Sequence, residues 1–456
     1  MLDRDRTVAG PGFNRWLIPP AALAVHLSIG QVYAFSVFKE PLVEHFGTKL
    51  TPISIIFSIA IAMLGLSAAF GGTWVERVGP RKAMFAAGCC WSLGFVVSAL
   101  GVAADQLWLV YLGYGVIGGI GLGIGYISPV STLIKWFPDR PGLATGLAIM
   151  GFGGGALVAG PLSNKLLSVF ADNPADAIAP AFLTLAAIYF VMMTLGAFTV
   201  RLPAEDWKPA GWDPERAASR SLVTRGNVTA ANAIRTRQFW LLWVVLFCNV
   251  TAGIGILEQA SPMVQDHFAT VTAAAAAGFV GLLALCNMGG RIGWSATSDV
   301  IGRKPMYMIY LGVGAILYFL LASTGTASVA WFVLLTGGIL SFYGGGFSTV
   351  PAYLKDLFGT LQVGAIHGRL LTAWSAAGIA GPLIVNAIAD AETAAGKSGA
   401  DLYTLSLYIM VGVLIVGFIA NLLIKPVSDR FMEEAHESTG RFVREPKPAP
   451  VTAERS

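Results

Sequence analysis

Eleven stretches of at least 20 consecutive residues contain no Asp, Glu, Lys or Arg. A helix needs about 20 mainly apolar residues to cross the hydrocarbon core of a bilayer, so each stretch is long enough for one membrane span. The longest stretch is long enough for two, and the polar residues Ser323–Thr326 divide it. The sequence therefore predicts twelve transmembrane helices, which occupy the stretches 16–38, 50–75, 83–104, 106–134, 141–164, 177–200, 238–257, 268–290, 305–354 (two), 370–389 and 402–424.

The composition supports an all-α integral membrane protein. Hydrophobic residues make up 55% of the 456 residues and charged residues 12%, whereas an ordinary soluble domain carries roughly 25% charged residues. This scarcity of charge argues against a soluble enzyme and against a nucleic-acid-binding protein. The four cysteines lie inside apolar runs and the five histidines are scattered, so the sequence predicts neither a metal site nor a cofactor.

The distribution of basic residues predicts the orientation of the chain. With both termini inside, the inner segments hold 25 of the 30 Lys and Arg residues, and the outer loops hold only Lys39, Lys49 and Lys397. Cytoplasmic loops of membrane proteins carry an excess of Lys and Arg. We therefore predict that both termini lie in the cytoplasm.

The two halves of the chain repeat each other at a nearly constant offset. Ala159–Leu162 in span 5 returns as Ala380–Leu383 in span 11, and Pro129 in span 4 has its counterpart in Pro351 of span 10. We predict two homologous six-helix halves, 1–200 and 238–425, joined by a cytoplasmic linker, 201–237, and followed by a disordered tail, 426–456. Repeats of this kind are typical of transporters whose substrate site lies between the halves.

The loops after spans 2 and 8 carry the same charged pattern. The first reads Gly72-Thr-Trp-Val-Glu76-Arg77-Val-Gly79-Pro80-Arg81-Lys82, and the second reads Ser298-Asp299-Val-Ile-Gly302-Arg303-Lys304. The pattern resembles the loop motif of the major facilitator superfamily, and this resemblance, which covers the whole chain, implies the major facilitator fold. In that superfamily the acidic and basic residues pair with each other and with helix ends on the cytoplasmic side. The resemblance thus implies a gate formed by Glu76, Arg77, Gly79, Arg81, Lys82, Asp299, Gly302, Arg303 and Lys304; alternatively, these charges only set the topology.

Three further segments resemble the oxalate/formate antiporter family, which is related to the monocarboxylate transporters. They are Gly30–Phe38 in span 1, Asn287–Arg291 in span 8 and Leu371–Pro382 in span 11. The resemblance implies transport of small carboxylates, typically by exchange of a dicarboxylate for a monocarboxylate. Two positions differ from the relatives: Trp374 stands where oxalate carriers of the family have a lysine, and Asn287 stands where proton-coupled monocarboxylate carriers have an aspartate.

Arg291 is the main candidate for substrate binding. It lies eight residues before Asp299, which places it about 12 Å inside the cytoplasmic end of its helix at 1.5 Å per residue. An arginine at the centre of a membrane costs at least about 2.5–3.5 kcal/mol, and a bound carboxylate offers it a planar, bidentate partner. The alternative is a structural arginine that donates to helix carbonyls.

Five more residues are candidates for the same site: Tyr33, Trp374, Asn287, His26 and Tyr126. Tyr33 could donate its hydroxyl to a carboxylate, and His26, two helical turns away on the same face, could carry a coupling proton. Asn287 is one turn from Arg291 and could orient its guanidinium, while Trp374 and Tyr126 could line the cavity. The alternative for each is ordinary packing or hydrogen bonding inside the bundle.

These observations predict a secondary transporter that moves small carboxylates by alternating access, as an anion exchanger. Proton-coupled symport of a lactate- or pyruvate-like monocarboxylate, a carrier of uncharged substrates, a transporter-like sensor and a membrane-embedded enzyme are the alternatives. The family resemblance and the absence of an organelle-targeting signal predict the bacterial inner membrane. The expected partners are carboxylate anions and the lipid bilayer, with no nucleic acid, and nothing in the sequence requires more than a monomer.

Overall fold

Twelve long helices make up the computed structural model, which describes residues 2–204, 207–212, 222–224 and 226–433. We number these helices α1 to α12 in chain order: Arg15–His45, Leu50–Val78, Pro80–Ala103, Leu107–Trp136, Pro141–Phe170, Ile178–Thr199, Arg237–His267, Ala273–Ile301, Arg303–Ala327, Val329–Phe358, Val363–Ala394 and Asp401–Leu422. Over these residues there is no strand, only an isolated bridge between Val8 and Leu202.

The helices confirm the predicted all-α membrane fold. Eleven of the described helices, all except α8, have both the length and the apolar composition that a membrane span requires. Helix α8 is a continuous helix of 29 residues, about 43 Å long at 1.5 Å per residue, and it contains most of the predicted span 268–290. Each predicted stretch therefore corresponds to one helix, or to two in the case of 305–354.

Local sequence signals explain where many of these helices begin. Thr236, Thr272 and Ser328 precede α7, α8 and α10, and the side chain of each accepts a hydrogen bond from the third residue of its helix. Such caps satisfy amide groups that have no partner within the helix. Prolines stand at the first turn of α3 and α5, where the missing N–H group does no harm.

Helix α1 departs from the α-helical geometry that the sequence analysis assumed. It is α-helical over Ile18–Ile29, becomes a 3-10 helix over Gly30–Phe38 and returns to α-helix at Lys39–His45. A 3-10 helix has 3.0 residues per turn, so the seven positions from His26 to Tyr33 are not two regular α-turns. The shared face predicted from α-helical spacing has to rest instead on the contacts of the two side chains.

Both described chain ends lie on the same side of the bundle, which we call the terminal face. Near the N-terminus, Arg15 forms an ion pair with Asp139, with 2.6 Å between the nearest nitrogen and oxygen, and Ala9 donates to the Leu202 carbonyl. Near the end of the described chain, Glu433 donates its amide to the Asn227 carbonyl. The turns at Gly79 and Gly302 lie on this side too, because α2 and α8 end there.

The two halves meet chiefly where α2 packs against α11 and where α5 packs against α8. The approach is close: a Cβ atom added to Gly72 of α2 would lie 2.7 Å from the Cα atom of Ala365 in α11. The limits of the predicted halves, linker and tail stay predictions. Residues 205–206, 213–221 and 225 of the linker and 434–456 of the tail lie outside the described residues.

Candidate substrate site and gate

Arg291 is fully buried at the boundary between the two halves. Its Nε atom donates to the Oδ1 atom of Asn287 at 3.1 Å, and its Nη1 atom donates to the Ile149 carbonyl of α5 at 3.0 Å. The Nη2 atom has no hydrogen-bond partner. The arginine thus bridges the halves through one donor, Nη1, and is oriented within its own helix by a second, Nε. A third donor, Nη2, is left without a protein acceptor, in a place where an unpaired buried charge is costly.

Four aromatic rings form a cluster beside this position. Tyr126 of α4, Phe152 of α5, Phe347 of α10 and Trp374 of α11 contact each other at centroid distances of 4.9–5.8 Å. The guanidinium carbon of Arg291 lies 5.2 Å from the centroid of the Phe347 ring, within the range of a cation–π contact. Each ring and Arg291 lies ten or eleven residues from the terminal-face end of its helix, so all five share one level, about 15–16 Å deep.

The structure brings the predicted substrate-site residues together around these rings. Tyr33 packs on Phe152 and His26 packs on Tyr126, at centroid distances of 5.1 and 5.3 Å. Since Phe152 and Tyr126 touch each other, both residues of α1 do face the central cluster, despite the 3-10 segment between them. Asn287 holds the Arg291 Nε atom, as the one-turn spacing predicts.

Several buried polar atoms around the rings have no hydrogen-bond partner: the hydroxyl of Tyr126, Nη2 of Arg291 and both ring nitrogens of His367. Buried polar groups are nearly always paired. A concentration of unpaired donors around one cation is therefore chemically suited to receive a small polar anion.

Sequence reasoning missed Phe152, Phe347, Tyr343 and His367. The three aromatic residues carry no signal that separates them from the other aromatic residues of the chain. His367 could not be identified from the sequence, because the charge-free stretch begins only after Arg369. The sequence therefore predicts a loop at His367. In the structure α11 already begins at Val363, so His367 lies inside the bundle and is 1% exposed.

Asp299 connects the two halves at the terminal face. Its carboxylate accepts hydrogen bonds from the amides of Gly142 and Leu143, at 2.8 and 2.9 Å, at the start of α5. It also pairs with Arg303 at 2.6 Å, and Arg303 in turn pairs with Asp356 of α10 at 3.1 Å. A carboxylate at a helix N-terminus is stabilised by the free amides and by the helix dipole.

Glu76 makes the equivalent connection in the first half. Its Oε1 atom accepts from the amide of Gly364 at 3.1 Å, at the start of α11, and its Oε2 atom pairs with Lys135 at 2.6 Å. Each acid therefore caps a helix of the opposite half. These two contacts are cross-links that must break if the terminal face is to open.

The remaining predicted gate residues lie around the same two turns. Gly79 and Gly302 have φ angles of 84° and 93°, which only glycine adopts readily. Arg81 donates to carbonyls at the end of α6, and Lys304 donates to the carbonyls of Leu422 and Ile424 at the end of α12. Arg77 and Lys82 are exposed.

Comparison with known proteins agrees with this architecture. The sequence profile described as "Major Facilitator Superfamily" matches residues 21–382. The oxalate:formate antiporter of Oxalobacter formigenes is 26% identical over 82% of this chain and 85% of its own. Human monocarboxylate transporter 11 is 33% identical over 48% of this chain and 45% of its own.

Among solved structures, the fucose:proton symporter of Escherichia coli superimposes with a TM-score of 0.66 at 15% identity. The match covers 90% of this chain and 99% of that one. At this identity the likeness concerns the fold alone.

Proposed function

The chain belongs to the major facilitator superfamily, and from that premise we propose that it moves small carboxylate anions across the membrane by alternating access. Members of this superfamily are transporters, not enzymes. The observation that carries the proposal is the buried Arg291 with its unpaired Nη2 atom, which lies against a cluster of four aromatic rings. A relative with 26% identity over most of both chains exchanges oxalate for formate, which supports a carboxylate as the substrate class.

The site chemistry favours an anion with one carboxylate. Among the described residues, Arg291 is the one charged side chain with a recorded contact to the ring cluster. The rings of Tyr126, Phe152, Phe347 and Trp374 supply flat apolar walls. A single guanidinium neutralises one carboxylate through a charge-assisted hydrogen bond. The rings contact the apolar part of a small monocarboxylate, because burial of aromatic surface against carbon atoms is favourable.

The gate contacts support alternating access. Asp299 and Glu76 hold the terminal face closed through α5 and α11, and both contacts end at backbone amides that water can also satisfy. The closed and open forms of this face therefore differ by a few replaceable hydrogen bonds. A balance of this kind can be shifted by the binding energy of a substrate.

Exchange follows from the charge of the empty site. Without substrate, Arg291 leaves an uncompensated positive charge in the membrane interior, and this raises the free energy of any conformation that excludes water from it. A bound carboxylate removes that penalty. The loaded carrier should change conformation faster than the empty one, which is the behaviour of an exchanger.

Counterflow in proteoliposomes tests the proposal. Vesicles are loaded with unlabelled formate, oxalate, pyruvate, lactate or acetate, and the uptake of labelled formate, pyruvate or oxalate is followed in wild type and in Arg291→Gln. We expect uptake that requires an internal carboxylate and falls at least about tenfold in the variant, the loss of one charge-assisted contact.

Two results would contradict the proposal. Equal uptake with and without internal carboxylate would exclude obligatory exchange. Undiminished uptake in Arg291→Gln would remove Arg291 from the site and would favour an uncharged substrate.

We also propose that the terminal face is the cytoplasmic side of a bacterial inner membrane. The excess of Lys and Arg on this face supports that orientation.

A further inference from the structure

Two histidines from opposite halves pack on one ring of the aromatic cluster. His26 of α1 and His367 of α11 both pack on the Tyr126 ring, at centroid distances of 5.3 and 5.8 Å. They are 0% and 1% exposed. His367 is four residues from the start of α11, about 6 Å in from its terminal-face end, so it lies between the closed gate and the level of Arg291.

The hydrogen bonding of this pair is incomplete. The Nδ1 atom of His26 lies 3.2 Å from the Ala22 carbonyl, and the His26 ring also interacts with the backbone of Tyr126. Both ring nitrogens of His367, in contrast, are buried without a hydrogen bond. A pair retained only for packing would not require imidazole, because aromatic residues fill such space without unpaired polar atoms.

Few titratable or charged groups surround His26 and His367. The titratable and charged side chains on the described helices around it are Tyr126 and Lys135 of α4, Glu76 of α2, Arg291 of α8, Tyr189 of α6, Tyr343 of α10, Tyr33 of α1 and Arg369 of α11. Glu76 and Lys135 are paired with each other, and Arg291 donates to Asn287 and Ile149. No carboxylate forms an ion pair with either histidine among the described contacts.

We propose that His26 and His367 form a proton-binding site that is loaded when the terminal face opens. This inference rests on the alternating access of the proposed function and deepens it. Opening draws α11 away from α2 and α4, so water reaches His367 from the terminal side. A proton from that water then binds an imidazole nitrogen, which forms one N–H bond and adds one positive charge.

The closed form disfavours the same proton for a geometric reason. The contact between Glu76 and the start of α11 lies on the terminal side of His367, and the ring of Tyr126 packs on both histidines. An additional cation in this dry space would also lie near Arg291. Protonation and opening of the terminal face therefore favour each other, since a ligand shifts a conformational equilibrium by its preference for one state.

The test measures the terminal-face opening directly and needs no transported substrate. Spin labels are attached at Thr199 and Val300, two exposed positions at the terminal-face ends of α6 and α8. The background replaces Cys89, Cys90, Cys248 and Cys286 by alanine. Distance distributions are recorded by pulsed electron resonance in lipid nanodiscs between pH 8 and pH 5.

We expect acid to increase the population with the longer distance, by up to about tenfold per pH unit for one linked proton. The double variant His26→Gln/His367→Gln should lose this response. His45→Gln and His267→Gln are matched controls at the opposite face and should retain it. If the double variant does not give monodisperse protein, the single variant His367→Gln is judged by the same criterion.

The proposal is overturned by a wild-type distribution that does not change between pH 8 and pH 5, or by a pH response that survives in the histidine variants. Neither result depends on carboxylate transport. Conversely, counterflow can fail while the pH response is intact and depends on the histidines. That result would exclude carboxylates as the substrate and would leave the proposed proton site standing.

Discussion

Arg291 shows how one side chain can combine a binding role with a structural one. Its Nη1 and Nε atoms are already occupied by the Ile149 carbonyl and by Asn287, so the arginine is oriented before a substrate arrives. Only Nη2 is free to bind. The two readings that the sequence left open, substrate ligand or structural arginine, are therefore compatible in one residue.

The glycine opposite Arg291 allows a sharp test of this positioning. A Cβ atom at Gly153 would lie 2.7 Å from the Arg291 Nε atom and 3.0 Å from its Cζ atom. We expect Gly153→Ala to displace the guanidinium and to raise the KM for carboxylate counterflow by about tenfold or more, as for a weakened hydrogen bond to a charged group. Gly160→Ala, on the same helix and with no atom within 4 Å of the added methyl group, is the matched control; equal KM values in the two variants would contradict the positioning.

Elements could be predicted from the sequence far better than contacts between them. Each span follows from a local run of apolar residues, and the two turns follow from the Gly79 and Gly302 motifs. The 3-10 segment of α1 and the early start of α11 could not be predicted in this way, because both depend on packing between helices. The Glu76 partners Lys135 and Gly364 are 59 and 288 residues away in sequence, and no local pattern carries such information.

The capping contact of Asp299 makes a prediction for the gate. Asp299→Ala removes the acceptor of two α5 amides and one partner of Arg303, and loss of such a cap costs about 0.5–2 kcal/mol. We expect the ratio of open to closed terminal face to rise by roughly 2- to 30-fold, measured with the same spin-label pair. Asp390→Ala, an exposed acid near the far end of α11, should leave the ratio unchanged; a similar change in both variants would mean that Asp299 is not a gate contact.

The turn between α8 and α9 makes a prediction about stability. Gly302 combines φ 93° with ψ 159°, a region that costs other residues about 1–3 kcal/mol. Gly302→Ala should therefore lower the Tm of the purified protein. Gly293→Ala, a helical position on α8 with open space around it, should leave the Tm unchanged or raise it. A Tm for Gly302→Ala as high as that of wild type would show that the turn is not strained by a side chain.

The whole molecule is built from two similar units. The uneven distribution of its basic residues between the two sides predicts its orientation in the membrane. Among the described residues, the basic side chains toward the side away from the termini are few: Lys39, Lys49, Lys165 and Lys397. Alkaline phosphatase fused after residue 397 should be active in a bacterial host, whereas fusion after residue 425 should be inactive, since the enzyme folds only outside the cytoplasm. The reverse pattern of activity would overturn the proposed orientation.

The repeat also explains which parts of the site the sequence could and could not identify. Corresponding positions such as Gly79 and Gly302 can be paired by their offset, so both halves of the proposed gate can be predicted. The central site is not repeated: Arg291 has no basic counterpart in the first half, and His367 of the second half faces His26 of the first. Function at the centre arises from the differences between the halves, which a search for similarity does not reveal.

The hydrogen bond from Arg291 to the Ile149 carbonyl has a thermodynamic consequence. Under the proposed function, the residue that binds the anion is oriented by a carbonyl of the other half in the form with the terminal face closed, and we expect opening to break this contact. The affinity for the anion and the closure of the terminal face are then linked by one coupling free energy. Closure raises the affinity by the same factor by which the bound anion favours closure. A covalent tether that keeps the terminal face shut should therefore make the protein a tighter carboxylate receptor from the opposite side, at the same time as it abolishes transport.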